Sequence, residues 1–195
     1  MSGWGRRLAG RLKREHLGER MPKAFTSVEK SKIRNQLMVA GLRHFALAGV
    51  RAARVEDICR AVGIAKGSFY AFFESKEDLF MTIADERDVM HKAEMTAWLE
   101  TAGREPRAVL AGFFDFMLDR IATDPVLKIV RDRGEINHLI RRVPAHRLAE
   151  NTRRDVEFMA RVADFFQTRF GLVHADEVTL TGLLTLMLSM SLQEE

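Results

Sequence analysis

The sequence predicts an all-α protein, with an N-terminal three-helix domain followed by a C-terminal antiparallel helical bundle. Three observations carry this expectation. No stretch alternates apolar and polar residues with the period of two that a half-buried strand needs. Apolar residues recur instead at helical spacing, in segments bounded by capping residues, glycines and prolines. Finally, residues 49–80, GVRAARVEDICRAVGIAKGSFYAFFESKEDLF, divide into two short amphipathic helices that meet at a tight glycine turn.

Residues 1–25 read as a basic, flexible arm in which Trp4, Leu8 and Leu12 are spaced at fours. The arm either turns partly helical on an anionic surface, or is a disordered tail, or reflects an upstream start before a natural beginning at Met21. Thr26 and Glu29 form a T-x-x-E capping box, so the first helix begins near Ser27 and ends at Gly49. The two short helices are expected at 54–62 and 65–72. Ser75 caps a long fourth helix from Lys76 to Thr101, which carries Leu79, Ile83, Met90 and Trp98 among many charges. Gly103 and Pro106 announce the next start, because proline fits a first helical position. Helices are then expected at 106–122, 125–132, 135–142, 145–170 and 175–192, divided by Asp124-Pro125, Gly134, Pro144 and Gly171.

In the first short helix Val55, Ile58 and Val62 share a face, and Gly63 stops it. In the second, Phe69 and Phe73 point inward at i, i+4, while Lys66 and Tyr70 point elsewhere. A unit of this kind is a helix-turn-helix, whose second helix enters the major groove of DNA. Geometry then assigns roles. The start of the second helix aims free backbone N–H groups at phosphate. Gly67 has no side chain, so DNA or the first motif helix can come close. Lys66, Ser68 and Tyr70 are the candidates for groove and phosphate contacts, and Lys76 for a phosphate clamp. Phe72 either meets a thymine methyl or sugar or tilts into the core. Arg54 can reach phosphate directly.

The string D-I-x-x-x-x-G-I-x-K-G-S-F-Y-x-x-F-x-S-K-E-x-L, from Asp57 to Leu79, resembles the signature of TetR (tetracycline-repressor-like) transcriptional regulators. Leu37, Ala40, Leu42 and Phe45, followed by Gly49, are similar to that family's first helix and turn, so the detailed likeness covers residues 27–80. The resemblance implies the same DNA-contacting positions, a dimer on a palindromic double-stranded operator, and a body that binds a small-molecule effector. Two departures stand out. Where the family starts each motif helix with a hydroxyl residue, this chain has Ala53 and Ala65, which removes an N-cap worth about 1 kcal/mol and a phosphate contact. The family also pairs its last two helices across the dimer, whereas here one helix is expected after Gly171. Either the product is shortened or the helices at 145–170 and 175–192 form the interface.

Charge falls unevenly along the chain: the net is +5 over residues 1–25, +3 over 26–80 and −4 over 81–195. That asymmetry suits a DNA-binding head on a separate body. The expected organisation is an arm at 1–25, a helix-turn-helix domain at 26–75 and a ligand-binding, dimerising domain at 76–195. At 47% apolar, the chain of 195 residues can bury a real core. No apolar run approaches the roughly 18 residues that cross a bilayer, and the basic N-terminus lacks an apolar signal region. The single cysteine, Cys59, fits a reducing compartment. The expected location is therefore the cytoplasm, at the nucleoid, with no membrane partner.

In the body, Phe113, Phe114, Phe116 and Met117 lie on one helix, Phe158, Met159, Phe165 and Phe166 on another, and Met187 and Met190 near the end. Most such residues are ordinary core, yet two of these faces in a bundle can enclose an apolar effector cavity. The residues assigned to it are Phe113, Phe116, Met117, His138, Phe158, Phe165 and Met187. Arg131, Arg133, Arg141 and Arg142 flank His138 and either orient an anionic group or form a solvated face. Catalysis finds no support: G-x-S-x-G, P-loop, H-E-x-x-H and dinucleotide fingerprints are absent. The six histidines show no i, i+4 ligand pairing, so neither a metal nor a cofactor is expected. The expected function is a ligand-responsive repressor. The alternative is a sensor or interaction module whose DNA binding has degraded.

Overall fold

The computed structural model describes residues 26–172 together with Val178, Thr179 and Gly182. Among the described residues the chain forms α-helices and no strand: α1 (Ser27–Ala52), α2 (Val55–Val62), α3 (Lys66–Phe69), α4 (Lys76–Thr101), α5 (Pro106–Thr123), α6 (Pro125–Arg131), α7 (Arg133–Arg142) and α8 (Ala145–Phe170). The arm at 1–25 and most of the helix expected at 175–192 lie outside the described residues.

The capping box at Thr26 and Glu29 is formed as expected, with the Thr26 hydroxyl accepting from Glu29 N–H and the Glu29 carboxylate accepting from Thr26 N–H. Gly49 breaks the helix, at φ 74° and ψ 166°, and one further turn carries the chain to Ala52. Gly63 closes α2 in the left-handed region (φ 77°), and the following Ile64 N–H reaches back to the Cys59 carbonyl. Such a closure satisfies the last carbonyls of the helix.

Three expectations needed correction. Ala53 is not the start of the first motif helix: it is 7% exposed, and Arg54 takes the N-cap position. The second motif helix is one turn, Lys66–Phe69, and not 65–72. Beyond it Ala71 and Phe72 N–H bond to carbonyls three residues back, so the turn tightens and the α-helix does not continue. Gly134 does not divide the helices on either side of it. The break is at Asp132, whose carboxylate accepts Glu135 N–H at 2.8 Å and so caps α7 one residue before Gly134 can act.

Two cores result. In the first, Leu37 and Phe45 of α1, Ile58 of α2, Phe69, Phe73, and Leu79, Phe80 and Ile83 of α4 come together with Val126, Ile129, Leu139 and Val143. Helices α6 and α7 thus supply part of the core of the N-terminal helices. Gly41 allows the α1–α4 crossing, since a Cβ there would lie 2.7 Å from Leu79 Cδ2. The second core joins Met95 and Leu99 of α4 to Val109 and Phe113 of α5 and to Phe158, Met159, Val162 and Phe166 of α8. Helix α4 runs through both cores and ties them together.

Polar contacts brace the same helix. Arg147 pairs with Asp78 and Asp85, Arg154 with Asp85, and Lys92 with Asp155, all linking α4 to α8. Asp124, only 2% exposed, caps α6 through Val126 and Leu127 N–H and accepts from Arg87 Nε at 2.6 Å. His91 Nε2 lies 3.1 Å from the same carboxylate. Burial, and then the nearby Arg87 and Arg120, push the His91 imidazole below its ordinary range despite Asp124.

Candidate nucleic-acid interface

Helices α2 and α3 are held by their apolar faces, which leaves the opposite residues free to meet a partner. Ile58 and Phe69 are fully buried and Phe73 nearly so. Phe69 stacks edge-on against Tyr70 at 5.4 Å and lies 5.8 Å from Phe73. With those rings fixed, Arg54, Ala65, Lys66 and Gly67 are exposed, Ser68 is half-buried and Tyr70 is 53% exposed. Phe72 is half-buried and packs against the first core. Of the two roles expected for Gly67, close approach of the first motif helix does not apply, because nothing lies within 4 Å of a Cβ placed there.

The two lysines are not idle in the free protein. Lys66 Nζ lies 2.5 Å from Glu56 Oε1 in the first turn of α2. The hydrogen bond from Lys66 lowers the Glu56 carboxyl below its usual range, and the same bond raises the lysine. Both groups are solvated, so the pair adds little stability, but Glu56 sets a negative charge beside the expected phosphate contact. Sequence reasoning missed this acid. A cross-turn pair ten residues apart follows no helical spacing rule. Lys76 Nζ donates to the Arg51 carbonyl at 2.7 Å and the Ala53 carbonyl at 3.0 Å, bridging the start of α4 to the segment that enters α2.

Most residues assigned to an effector cavity gather in the second core. Phe113 is fully buried, edge-on to Phe114 at 5.3 Å and to Phe166 at 6.1 Å. Phe165 stacks on Phe166 at 5.5 Å, and Phe158, 7% exposed, lies beneath Lys92 and Arg161. Phe116 is half-buried under the Arg120 guanidinium at 5.0 Å, and Met117 packs beside the same core. His138 is not with them. It sits on α7, its Nε2 2.7 Å from Glu77 Oε1 at the start of α4. Met187 lies outside the described residues. A groove of about 630 Å³ opens elsewhere, between α1 and α2, lined by Val39, Arg43, His44, Leu47 and Val62 among others. Among the described residues no helix is long and apolar enough to cross a membrane, and no cluster of His, Cys, Asp and Glu could hold a metal.

Residues 37–83 match the sequence family of bacterial regulatory proteins, tetR family. Solved structures share the fold at low identity. A TetR-family transcriptional regulator from Pectobacterium atrosepticum aligns with a TM-score of 0.61 at 20% identity, over 86% of this chain and 83% of its own. The fatty acid degradation regulator FadR from Bacillus halodurans aligns at 0.56 and 19%, over 80% and 82%. RolR in complex with resorcinol aligns at 0.55 and 19%, over 87% and 83%. The structural matches show the fold, and the sequence match covers most of α1, all of α2 and α3 and the start of α4, including the exposed motif. Over residues 37–83 the chain is therefore similar to the tetR family of bacterial regulatory proteins, and the helix-turn-helix in that segment supports a DNA-binding transcriptional regulator.

Proposed function

We propose that this regulator is a ligand-responsive repressor, acting in the cytoplasm as a dimer on a palindromic operator. The observation that carries the reading is the motif's outward face. Arg54, Lys66, Gly67, Ser68 and Tyr70 are presented together by a scaffold whose inward face is closed by Ile58, Phe69 and Phe73. Arg54 and Lys66 supply charge for phosphate, while Ser68 and Tyr70 supply hydroxyls for base edges or sugar. Ala65 brings the backbone close without a contact of its own, Phe72 lends apolar contact from the rim, and Lys76 reaches phosphate by leaving the two carbonyls. Residues 26–75 form the reading head and 76–195 the sensing and dimerising body.

The effector is a largely apolar small molecule received among Phe113, Phe116, Met117, Phe158 and Phe165. The resorcinol complex of RolR supports a small ring compound as a starting probe. Because α4 belongs to both cores, a ligand that repacks the second core tilts the helix that frames the first. The two recognition helices then lose their spacing, provided the ligand prefers the non-binding state. A second reading, a sensor with weakened DNA binding, draws support from Ala65, which gives α3 no side-chain cap, and from the two occupied lysines.

One experiment decides between them. DNA selected from a random pool by the purified chain should converge on an inverted repeat, bound by two chains with an affinity that falls as salt rises. Failure to select any sequence, with no salt dependence, would refute the repressor reading and favour the second.

A further inference from the structure

Helix α7 holds the helix-turn-helix at both of its ends. Glu135, His138 and Leu139 lie at i, i+3 and i+4 and share one face of α7. Glu135 is 8% exposed, and its Oε2 accepts the Arg51 N–H at 3.0 Å, 84 residues away in sequence. The other carboxylate oxygen sits over Gly49, where a Cβ would come within 2.4 Å of it. Arg51 is four residues before α2 begins. At the far end of the motif, His138 bonds Glu77, itself 8% exposed, in the first turn of α4. Lys76 closes the ring by donating to the carbonyls of Arg51 and Ala53. The entry to α2 and the exit from α3 are therefore joined to each other, and α7 grips both.

A buried carboxylate persists only where its acceptors are used, and a charged acceptor makes a strong hydrogen bond. We propose that Glu135 is a positioning residue for DNA binding: by holding the Arg51 peptide over Gly49 it sets the pose of the helix-turn-helix relative to the body. The proposal rests on the reading of the chain as a dimeric DNA-binding regulator, and it places a determinant of operator binding outside the family-matched residues 37–83. Pose matters only when two heads must fit two half-sites about one helical turn apart. Without the carboxylate, segment 49–53 samples several poses, and operator affinity drops by the fraction that remains competent.

The test measures the full-length chain against its selected operator, against the same DNA with one half-site scrambled, and for amide hydrogen exchange at Arg51 without DNA. Glu135→Ala should speed exchange at Arg51 and weaken the full operator by roughly tenfold or more, while binding to the single half-site changes less than about threefold. Glu135→Gln, which keeps an acceptor oxygen, should recover most of both. Should Glu135→Ala not fold, Glu135→Asp keeps the charge but falls one methylene short, and should show the same selective loss. Equal losses on both DNAs, or a Glu135→Gln no better than Glu135→Ala, would overturn the proposal. So would unchanged operator affinity alongside faster exchange. A wild-type chain without salt-sensitive DNA binding would overturn both this and the regulator reading, whereas wild-type binding with an unaffected variant overturns this alone.

Discussion

Replacing Gly67 with alanine separates stability from recognition at a single atom. The residue lies in α3 with a helical backbone, outside the set of positive-φ glycines at 49, 63 and 171. Nothing lies within 4 Å of the added methyl, so the folded state gains no clash. The unfolded chain loses freedom, and alanine in a helix is favoured over glycine by roughly 0.5–1 kcal/mol. Each kcal/mol moves the melting temperature of a protein this size by about 2–4 °C, so the variant should melt roughly 1–4 °C higher. The same methyl stands on exposed surface between Lys66 and Ser68, where the interface reading brings backbone against DNA. Operator affinity should therefore fall about tenfold or more, a loss of about 1.4 kcal/mol. Thermal unfolding and a fluorescence-anisotropy titration measure the two effects. A lower melting temperature would show that the space over Gly67 is filled. Unchanged affinity in a stabilised variant would refute the assignment of this surface to DNA.

Ala65→Ser should raise the melting temperature by up to about 2–4 °C, because residue 65 has extended N-cap geometry without a side-chain bond and a cap is worth about 1 kcal/mol; a drop in calorimetry would refute it. Glu56→Gln should tighten DNA binding at low salt by releasing Lys66 and removing a charge that repels phosphate; gel-shift affinity equal to or weaker than wild type counts against the interface. Phe113→Ala should destabilise by about 3–5 kcal/mol, since the ring is fully buried against Phe114 and Phe166; a denaturation midpoint near wild type would show a loosely filled site. His91 predicts a pH dependence. Its pKa is lower folded than unfolded, so the unfolded chain binds the extra proton, and stability present above the ordinary value of about 6.5 is lost as pH falls toward the folded value. His91→Gln should flatten that slope in melts taken at successive pH values, and an unchanged slope would remove His91 as its source.

Where a boundary is set by neighbours in sequence, it was readable. Ser75 accepts Asp78 N–H to open α4, and Gly171 takes φ 67° to close α8, so both long helices run over the expected residues, Lys76–Thr101 and Ala145–Phe170. The inward pair Phe69 and Phe73 followed from i, i+4 spacing and is buried as such. Misses arose where two local signals competed. Gly134 reads as a breaker, but the carboxylate of Asp132 two residues earlier bonds Glu135 N–H and starts the helix first. In the second motif helix, four aromatic side chains within residues 69–73 suited any compact turn, and i→i+3 bonds from Ala71 and Phe72 N–H tightened it before Phe73 N–H closed on the Phe69 carbonyl.

The larger loss concerns charge. Regional sums set a basic head against an acidic body, yet the structure joins charges across that division and within each side. Asp78 and Asp85 of α4 are taken up by Arg147 and Arg154 of α8, and Lys66 by Glu56 inside the head. Glu135 drew no reading in sequence, and His138 was read among four arginines, as part of the same basic stretch. In space they address Arg51 and Glu77, 84 and 61 residues away. Net charge steers the approach to DNA, because it acts over about a Debye length. Affinity at contact depends on which cations remain unpaired, and a partner brought by the fold has no periodic signature. The body's acidic excess is therefore a poor measure of what repels DNA. Glu56, exposed and paired with Lys66, stands beside the expected phosphate contact, whereas Asp78 and Asp85 of α4 face α8. Removing Glu56 therefore tests whether a local acid matters more than the regional sum.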